Sequence, residues 1–218
     1  VKAGQLLYQI DPAPFQAALD QAKGQVERFE AQKRLLAIQV DRYTELAKKG
    51  AGDNKAPGYC SAFIATGSWT EGGGIVVGHN NWIDYIIGSR WNVIADIVPA
   101  AGRRILMDCL PGGIHSGDDF VVNGAGLVYT ETTMGTFKGF REEGTPEFMR
   151  ARKAAQYAES IDDFVRIMSA DNNGAYANDW LVGDTKTGEI AKFELGLRNQ
   201  RLWRTSDGYF VGSNFPGD

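Results

Sequence analysis

Cys60 and His79 are the first residues in this chain whose types and spacing could do chemistry together. Cys60 opens the apolar, alternating run CSAFIAT, and His79 lies near the end of the next such run, IVVGHN. The stretch WTEGGG between them reads as a turn, so the two runs predict a β-hairpin. A hairpin places both residues at the same end of neighbouring strands. A thiol with an imidazole in reach is a nucleophile arrangement. Each residue also has a plainer use, the cysteine as a small buried hydrophobe and the histidine as a hydrogen-bonding strut. Asn, Asp and Trp gather at three further places: His79-Asn80-Asn81-Trp82, Ser116-Gly117-Asp118-Asp119-Phe120 and Asn178-Asp179-Trp180. They point to a polar site and by themselves name no reaction. The second cysteine, Cys109, completes no CxxC pair; two cysteines in 218 residues are too few for a disulfide framework, and no metal is expected.

The elements that must position these residues fall in two compositional regions. Of 27 glycines, only Gly4 and Gly24 precede residue 50. Residues 53–218 read as α+β. Hairpins are expected over Cys60–Asn80 and again over Trp91–Val98 with Arg104–Cys109, and a further strand over Gly126–Thr132. Two helices follow. Thr145 is the expected N-cap of the first, with Pro146 at its first position, and Ser160-Ile161-Asp162-Asp163 opens the second. The runs WLVGD, EIAKFELGL, RLWRTS and YFVGS then predict more antiparallel strands joined by tight turns.

Residues 1–52 follow another rule. Leu6–Ile10 reads as a short strand, Asp11 as a helix N-cap and Pro12 as the first helical residue. Phe15, Leu19, Ala22, Val26, Phe29, Lys33, Leu36, Val40, Tyr43 and Ala47 are then spaced 4-3-4-3 throughout. That repeat marks a coiled-coil seam able to pair with another helix, ending near Lys48-Lys49-Gly50. The same stripe also suits an amphipathic helix packed on its own domain.

Composition narrows the function. The chain is 43% hydrophobic and 23% charged, as soluble globular proteins are. A net charge of -4 leaves no electrostatic footprint for nucleic acid. No apolar run of about 18 residues is present to span a membrane, and no signal peptide is expected. A start at Val1 rather than Met suggests a processed product or a fragment.

Two resemblances go further. VKAGQLLYQIDPAPFQAALDQAKGQVERFEAQ resembles the periplasmic adaptor (membrane fusion) proteins of efflux pumps, over residues 1 to about 51. It implies one arm of a helical hairpin, docking to partner helices, and an extracytoplasmic location. The returning helix and barrel of that family do not follow. GYCSAFIATGSWTEGGGIVVGHNNWIDY, LPGGIHSGDDF, GLVYTETT, IDDFVRIM, YANDWLVGD and YFVGSNFP together resemble the phospholipase B-like proteins. They also resemble the related acyl-coenzyme A:6-aminopenicillanic-acid acyltransferases. The match runs from about Lys55 to the end.

That second resemblance implies an N-terminal nucleophile (Ntn) hydrolase of four αββα layers, without a cofactor, acting on a small-molecule acyl substrate such as a lipid or N-acyl compound. Cys60 would be the nucleophile, freed by self-cleavage at Tyr59–Cys60. Its α-amine would then take the thiol proton, since the two groups titrate close together. His79 matches the family histidine, Thr132 or Thr133 a site threonine, and Asn178 the donor to the oxyanion. Asp96 or Asn92 would supply a further acidic or polar site residue, and Arg204 the arginine near the last sheet. Arg103-Arg104 and Asp118-Asp119 read equally as solvated charges. The family continues beyond SNFP, so residues 53–218 are expected to be a C-terminally truncated hydrolase joined to an adaptor-like fragment. The alternatives are an adaptor fragment, or an inactive chimera.

Overall fold

A computed structural model of the chain describes residue 2 and residues 13–48, 60–83, 88–91, 93–117, 119–134 and 139–216. The chain divides into two units, Val1–Lys55 and Ala56–Asp218.

The described part of the first unit is essentially one helix, α1 (Ala13–Lys48), of 36 residues. At 1.5 Å per residue it is about 54 Å long. Leu19, Ala22, Val26, Phe29 and Lys33, the part of the heptad stripe whose burial is described, are exposed. Long helices are favoured by strong helix formers, and Ala, Gln, Glu, Lys, Leu and Arg dominate this one. The expected strand at Leu6–Ile10, the Asp11 cap, Pro12 and the Gly50 stop lie outside the described residues.

The second unit is α+β with antiparallel sheets. Its strands are β1 (Cys60–Thr66), β2 (Val76–Asn81), β3 (Val93–Ile97), β4 (Ile105–Cys109), β5 (Val121–Asn123), β6 (Leu127–Thr133), β7 (Asn178–Asp184), β8 (Glu189–Leu195), β9 (Gln200–Thr205) and β10 (Gly208–Gly212). Helices α2 (Glu147–Tyr157) and α3 (Ile161–Ser169) lie between β6 and β7 in the chain. β3 to β9 form a seven-stranded meander, while β10 leaves it to pair with β1, giving a small sheet of order β10-β1-β2. The crossing is held where Asp207 accepts hydrogen bonds from the backbone N–H and hydroxyl of Ser68, both at 2.7 Å.

Two cores separate three layers. Beneath α2 and α3, Phe164 meets Tyr129 and Trp180 with ring centroids 4.9 and 5.5 Å apart, above Val182, Ala191 and Phe193. The alanines Ala151, Ala154 and Ala155 let α2 lie close to the sheet. On the other face of the large sheet, Leu181 and Ile190 pack against Ala62 and Ile64 of the small one. The outer face of the small sheet carries Phe63, Val76, Tyr209 and Val211, all exposed. No helix of this unit packs there among the described residues, so the fourth layer of an αββα arrangement is not seen.

The helix starts differ in one respect from the expectation. Ser160 caps α3 as expected, its Oγ accepting from the Asp163 N–H at 3.1 Å. α2 begins one residue later than the sequence suggests, with Pro146 at the cap position. The Thr145 hydroxyl is drawn to the Asp171 carboxylate at 2.8 Å instead, and its carbonyl accepts from Arg150 at 3.0 Å.

Candidate functional site

Register brings the first residues together. In the β1–β2 ladder Cys60 opposes Asn81 and Ala62 opposes His79. Side chains alternate along a strand, so Cys60 shares the face of Ala62 and Ile64, which packs on the large sheet. His79 and Asn81 share that face across the ladder. All three therefore converge at one end of the slot between the sheets.

Other segments close this end. Cys60 Sγ donates to Asn81 Oδ1 at 3.8 Å, and the Cys60 backbone N–H donates to Asn214 Oδ1 at 2.7 Å. Asn214 is buried and adopts a left-handed φ of 67°, which an asparagine tolerates better than most residues. Its Nδ2 donates to the Thr133 carbonyl at 2.6 Å, and its N–H to Thr132 Oγ1 at 3.4 Å. Gly212 permits this approach: a Cβ there would stand 2.8 Å from Thr132 Oγ1 and 3.2 Å from Asp179 Oδ2. Asp119, also left-handed at φ 58°, places Oδ2 3.7 Å from His79 Nε2. The ligating atoms of Cys60, His79 and Asp119 lie within 4.8 Å of one another.

The electrostatics favour neutral forms. Burial, then the carboxylates of Asp119 and Glu131, push the Cys60 thiol up to about 11; hydrogen bonds from the Trp82 backbone and Asn214 act the other way. Burial holds His79 below the usual imidazole range, opposed by a hydrogen bond to the Glu131 backbone. Nε2 is buried and has no hydrogen-bond partner, so that bond runs through Nδ1–H and leaves a lone pair on Nε2.

Glu131 is a buried carboxyl beside this group. It accepts from Asn178 Nδ2 at 2.7 Å and from the Thr133 and Tyr176 hydroxyls at 3.4 Å. Burial raises it to about 8, with Glu147 adding to the rise and the Asn178 hydrogen bond opposing it.

The expected site residues divide accordingly. Cys60 and His79 stand together, and Thr132 and Thr133 both hold Asn214. Asn178 donates to Glu131 on the helical side of the large sheet, the side its register with Thr133 gives it. Asp96 and Arg204 are not brought to Cys60: they lie on β3 and β9, the opposite edge strands of the large sheet. Asp96 pairs with the exposed Arg104, and Arg204 with Glu189 and Asp162. Long polar side chains at sheet edges reach water and find surface partners, which accounts for both. Asn92 and Asp118 lie outside the described residues. The sequence reading missed Asn81, Asp119, Glu131 and Asn214 as site residues. All four were within the family-like motifs GHNNW, SGDDF, GLVYTETT and YFVGSNFP, and Asn81 and Asp119 also within the polar clusters, but none had a role attached.

A family model described as phospholipase B matches residues 13–203. The bovine protein named "Putative phospholipase B-like 2" is 32% identical over 128 residues, 51% of this chain and 22% of its own length. The Mus musculus protein of that name is 30% identical over 157 residues, 65% of this chain and 26% of its own. Human "Phospholipase B-like 1" is 30% identical over 138 residues, 59% of this chain and 25% of its own. The chain thus spans about a quarter of the length of these relatives. The family match begins inside α1, and the comparisons do not show the adaptor relationship expected for residues 1–52.

Proposed function

Because the chain belongs to the phospholipase B family, we propose that it is the nucleophile-bearing part of a hydrolase or acyltransferase that cleaves an amide or ester acyl bond through Cys60. The supporting observation is that one end of the slot holds the Cys60 thiol, the His79 imidazole and a fixed Cys60 nitrogen together. We place self-cleavage at Tyr59–Cys60 before turnover; Tyr59 itself lies outside the described residues.

With its thiol near 11, the intact chain holds on the order of 1 thiolate in 10⁴ at pH 7. A base is therefore needed for the first step. Neutral His79 Nε2 takes the thiol proton as Sγ bonds to the Tyr59 carbonyl carbon. The peptide C–N bond then breaks, the proton passes to the Cys60 nitrogen, and water hydrolyses the thioester. The freed α-amine, still held by Asn214 Oδ1, becomes the base for external substrates. Sγ then attacks the substrate acyl carbon, the leaving group departs with a proton, and water or another acceptor takes the acyl group.

The oxyanion donor is assigned with Asn81 ahead of Asn178. Asn178 Nδ2 is committed to Glu131 at 2.7 Å, whereas Asn81 Nδ2 is held only loosely, by the Gly117 carbonyl at 3.4 Å. Asn81 also already touches Sγ through Oδ1, so a turn of its amide brings a donor to the reacting centre. Asn178 then positions Glu131, and Asn214 positions the nucleophile.

Intact-mass and peptide mass spectrometry, followed by incubation with activated acyl esters, tests this reading. Cleavage before Cys60 and a thioester on Cys60 are expected. A cleaved protein that never carries acyl on Cys60 removes the proposal.

A further inference from the structure

Sulfur, imidazole nitrogen and carboxylate oxygen within 4.8 Å of one another are the donors that borderline-soft cations select. Cys60, His79 and Asp119 form such a group, from β1, β2 and the segment before β5. A second observation points to a ligand. The His79 side chain is nine-tenths buried, at 10% exposure, yet its Nε2 has no hydrogen-bond partner. That nitrogen stands 3.7 Å from Asp119 Oδ2, close to the separation of two donors on one tetrahedral ion with bonds of about 2.0–2.2 Å. The opposite ring nitrogen is anchored on the Glu131 backbone, the arrangement that fixes the tautomer of a metal-ligating histidine. Asn81 Oδ1, 3.8 Å from Sγ, stands beside the group as an oxygen donor.

We propose that Cys60, His79 and Asp119 bind a thiophilic divalent cation, Zn²⁺ being the best fit, and that the bound ion holds the site inactive. Three protein donors leave a fourth position to water or to Asn81. Binding replaces the S–H bond with an S–metal bond and releases one proton to solvent. Thiolate and carboxylate together balance the two positive charges, and the neutral imidazole adds none. Inhibition rests on Cys60 being the nucleophile; binding does not.

The test uses the full chain in a thiol-free reductant. Co²⁺ titration reads the thiolate-to-metal charge-transfer absorption, and Zn²⁺ calorimetry in buffers of different ionisation enthalpy reads the proton released. One ion per chain, one proton per ion and a charge-transfer band are expected. Cys60→Ser should abolish the band, and His79→Ala and Asp119→Asn should each weaken affinity by about 10-fold or more, following the cost of perturbing metal sites. Cys109→Ala should change nothing. Circular dichroism confirms that each variant is folded, and Asp119→Asn is the least disruptive of them. No band in the wild type, a band that survives Cys60→Ser, or unchanged affinity in Asp119→Asn overturns the site. Binding without loss of acyl transfer retains the site but overturns its inhibitory role, and with it the cysteine reading of the function. Cys60-dependent turnover in a protein that takes up neither Co²⁺ nor Zn²⁺ on titration overturns the site alone.

Discussion

The two cysteines stand on opposite sides of the same large sheet, and their surroundings share little. Cys109 ends β4 in the core under the helices, buried with Met107, Val121 and Tyr129. Cys60 begins β1 in the slot between the sheets, half-buried among His79, Asn81, Asp119 and Asn214. Burial raises both thiols. Cys60 has the His79 imidazole within reach, and its backbone N–H is held by the Asn214 side chain. Residue type therefore says little about reactivity here; the side of the sheet and the strand end decide it.

The sharpest way to break this contrast is to remove each thiol. Cys60→Ala should lower acyl transfer by about 10³-fold or more, the scale of losing a nucleophile, and should leave the chain uncut at Tyr59. Cys109→Ala should leave turnover per folded molecule unchanged. Steady-state rates and intact mass read both, and equal losses from the two variants would erase the distinction.

The next effect belongs to the helical side. Phe164 is fully buried between Tyr129 and Trp180, so Phe164→Ala should cost about 3–5 kcal/mol of stability. Denaturant titration measures it. Cys60 acylation in the remaining folded protein should persist, because the register that sets the slot lies on the other side. Loss of acylation at unchanged fold would show that the two sides are coupled.

Alkylation rates give a smaller, finer comparison. With a thiol near 11, Cys60 of the intact chain should react at pH 8 about 100-fold more slowly than an unperturbed cysteine. Its rate should keep rising towards pH 11. Cys109 should be protected by lack of access, with a rate that follows unfolding instead of its own ionisation. Time-resolved iodoacetamide labelling with peptide mapping separates the two. A Cys60 rate that levels off near pH 8 would contradict the raised thiol.

How much of this was legible in the sequence depends on range. The β1–β2 hairpin was visible in CSAFIAT and IVVGHN, and with it the approach of Cys60 to His79. Ser160 announced α3, since a cap is a four-residue signal. The pairing of β10 with β1 was not visible, because YFVGS alternates equally well beside β9 or across the slot. Asn214 and Asp119 reach the site from turns with left-handed backbone, far along the chain from Cys60. Glu131 was hidden for another reason. A lone acid in an alternating strand reads as solvent-facing, but β6 is covered on both faces, by helices on one side and the small sheet on the other. Asp96 and Arg204 show the reverse case, charged residues expected at the site that instead lie on the edge strands of the large sheet and pair with surface charges there.

Buried carboxyls extend the comparison across the sheet and give its smallest test. Glu131, on the helical side, is raised to about 8 and held by neutral donors. Asp179, facing the small sheet, is raised to about 7 by burial even though Lys192 Nζ lies 3.1 Å away and pulls it down. Both folded values exceed the unfolded ones, so the folded state binds more protons in the window between them. Stability is then fully present below about pH 4 and declines as pH rises, by at most about 1.4 kcal/mol per pH unit for each group. Between pH 7 and 8 the Asp179 contribution is nearly complete while Glu131 still titrates. Glu131→Gln should therefore flatten the stability profile over pH 7–8, and Asp179→Asn should flatten it only below about pH 7. Urea melts at half-unit pH steps measure both profiles. If Asp179→Asn instead removed the slope above pH 7, the protonated carboxyl beside the nucleophile would be the one in the slot.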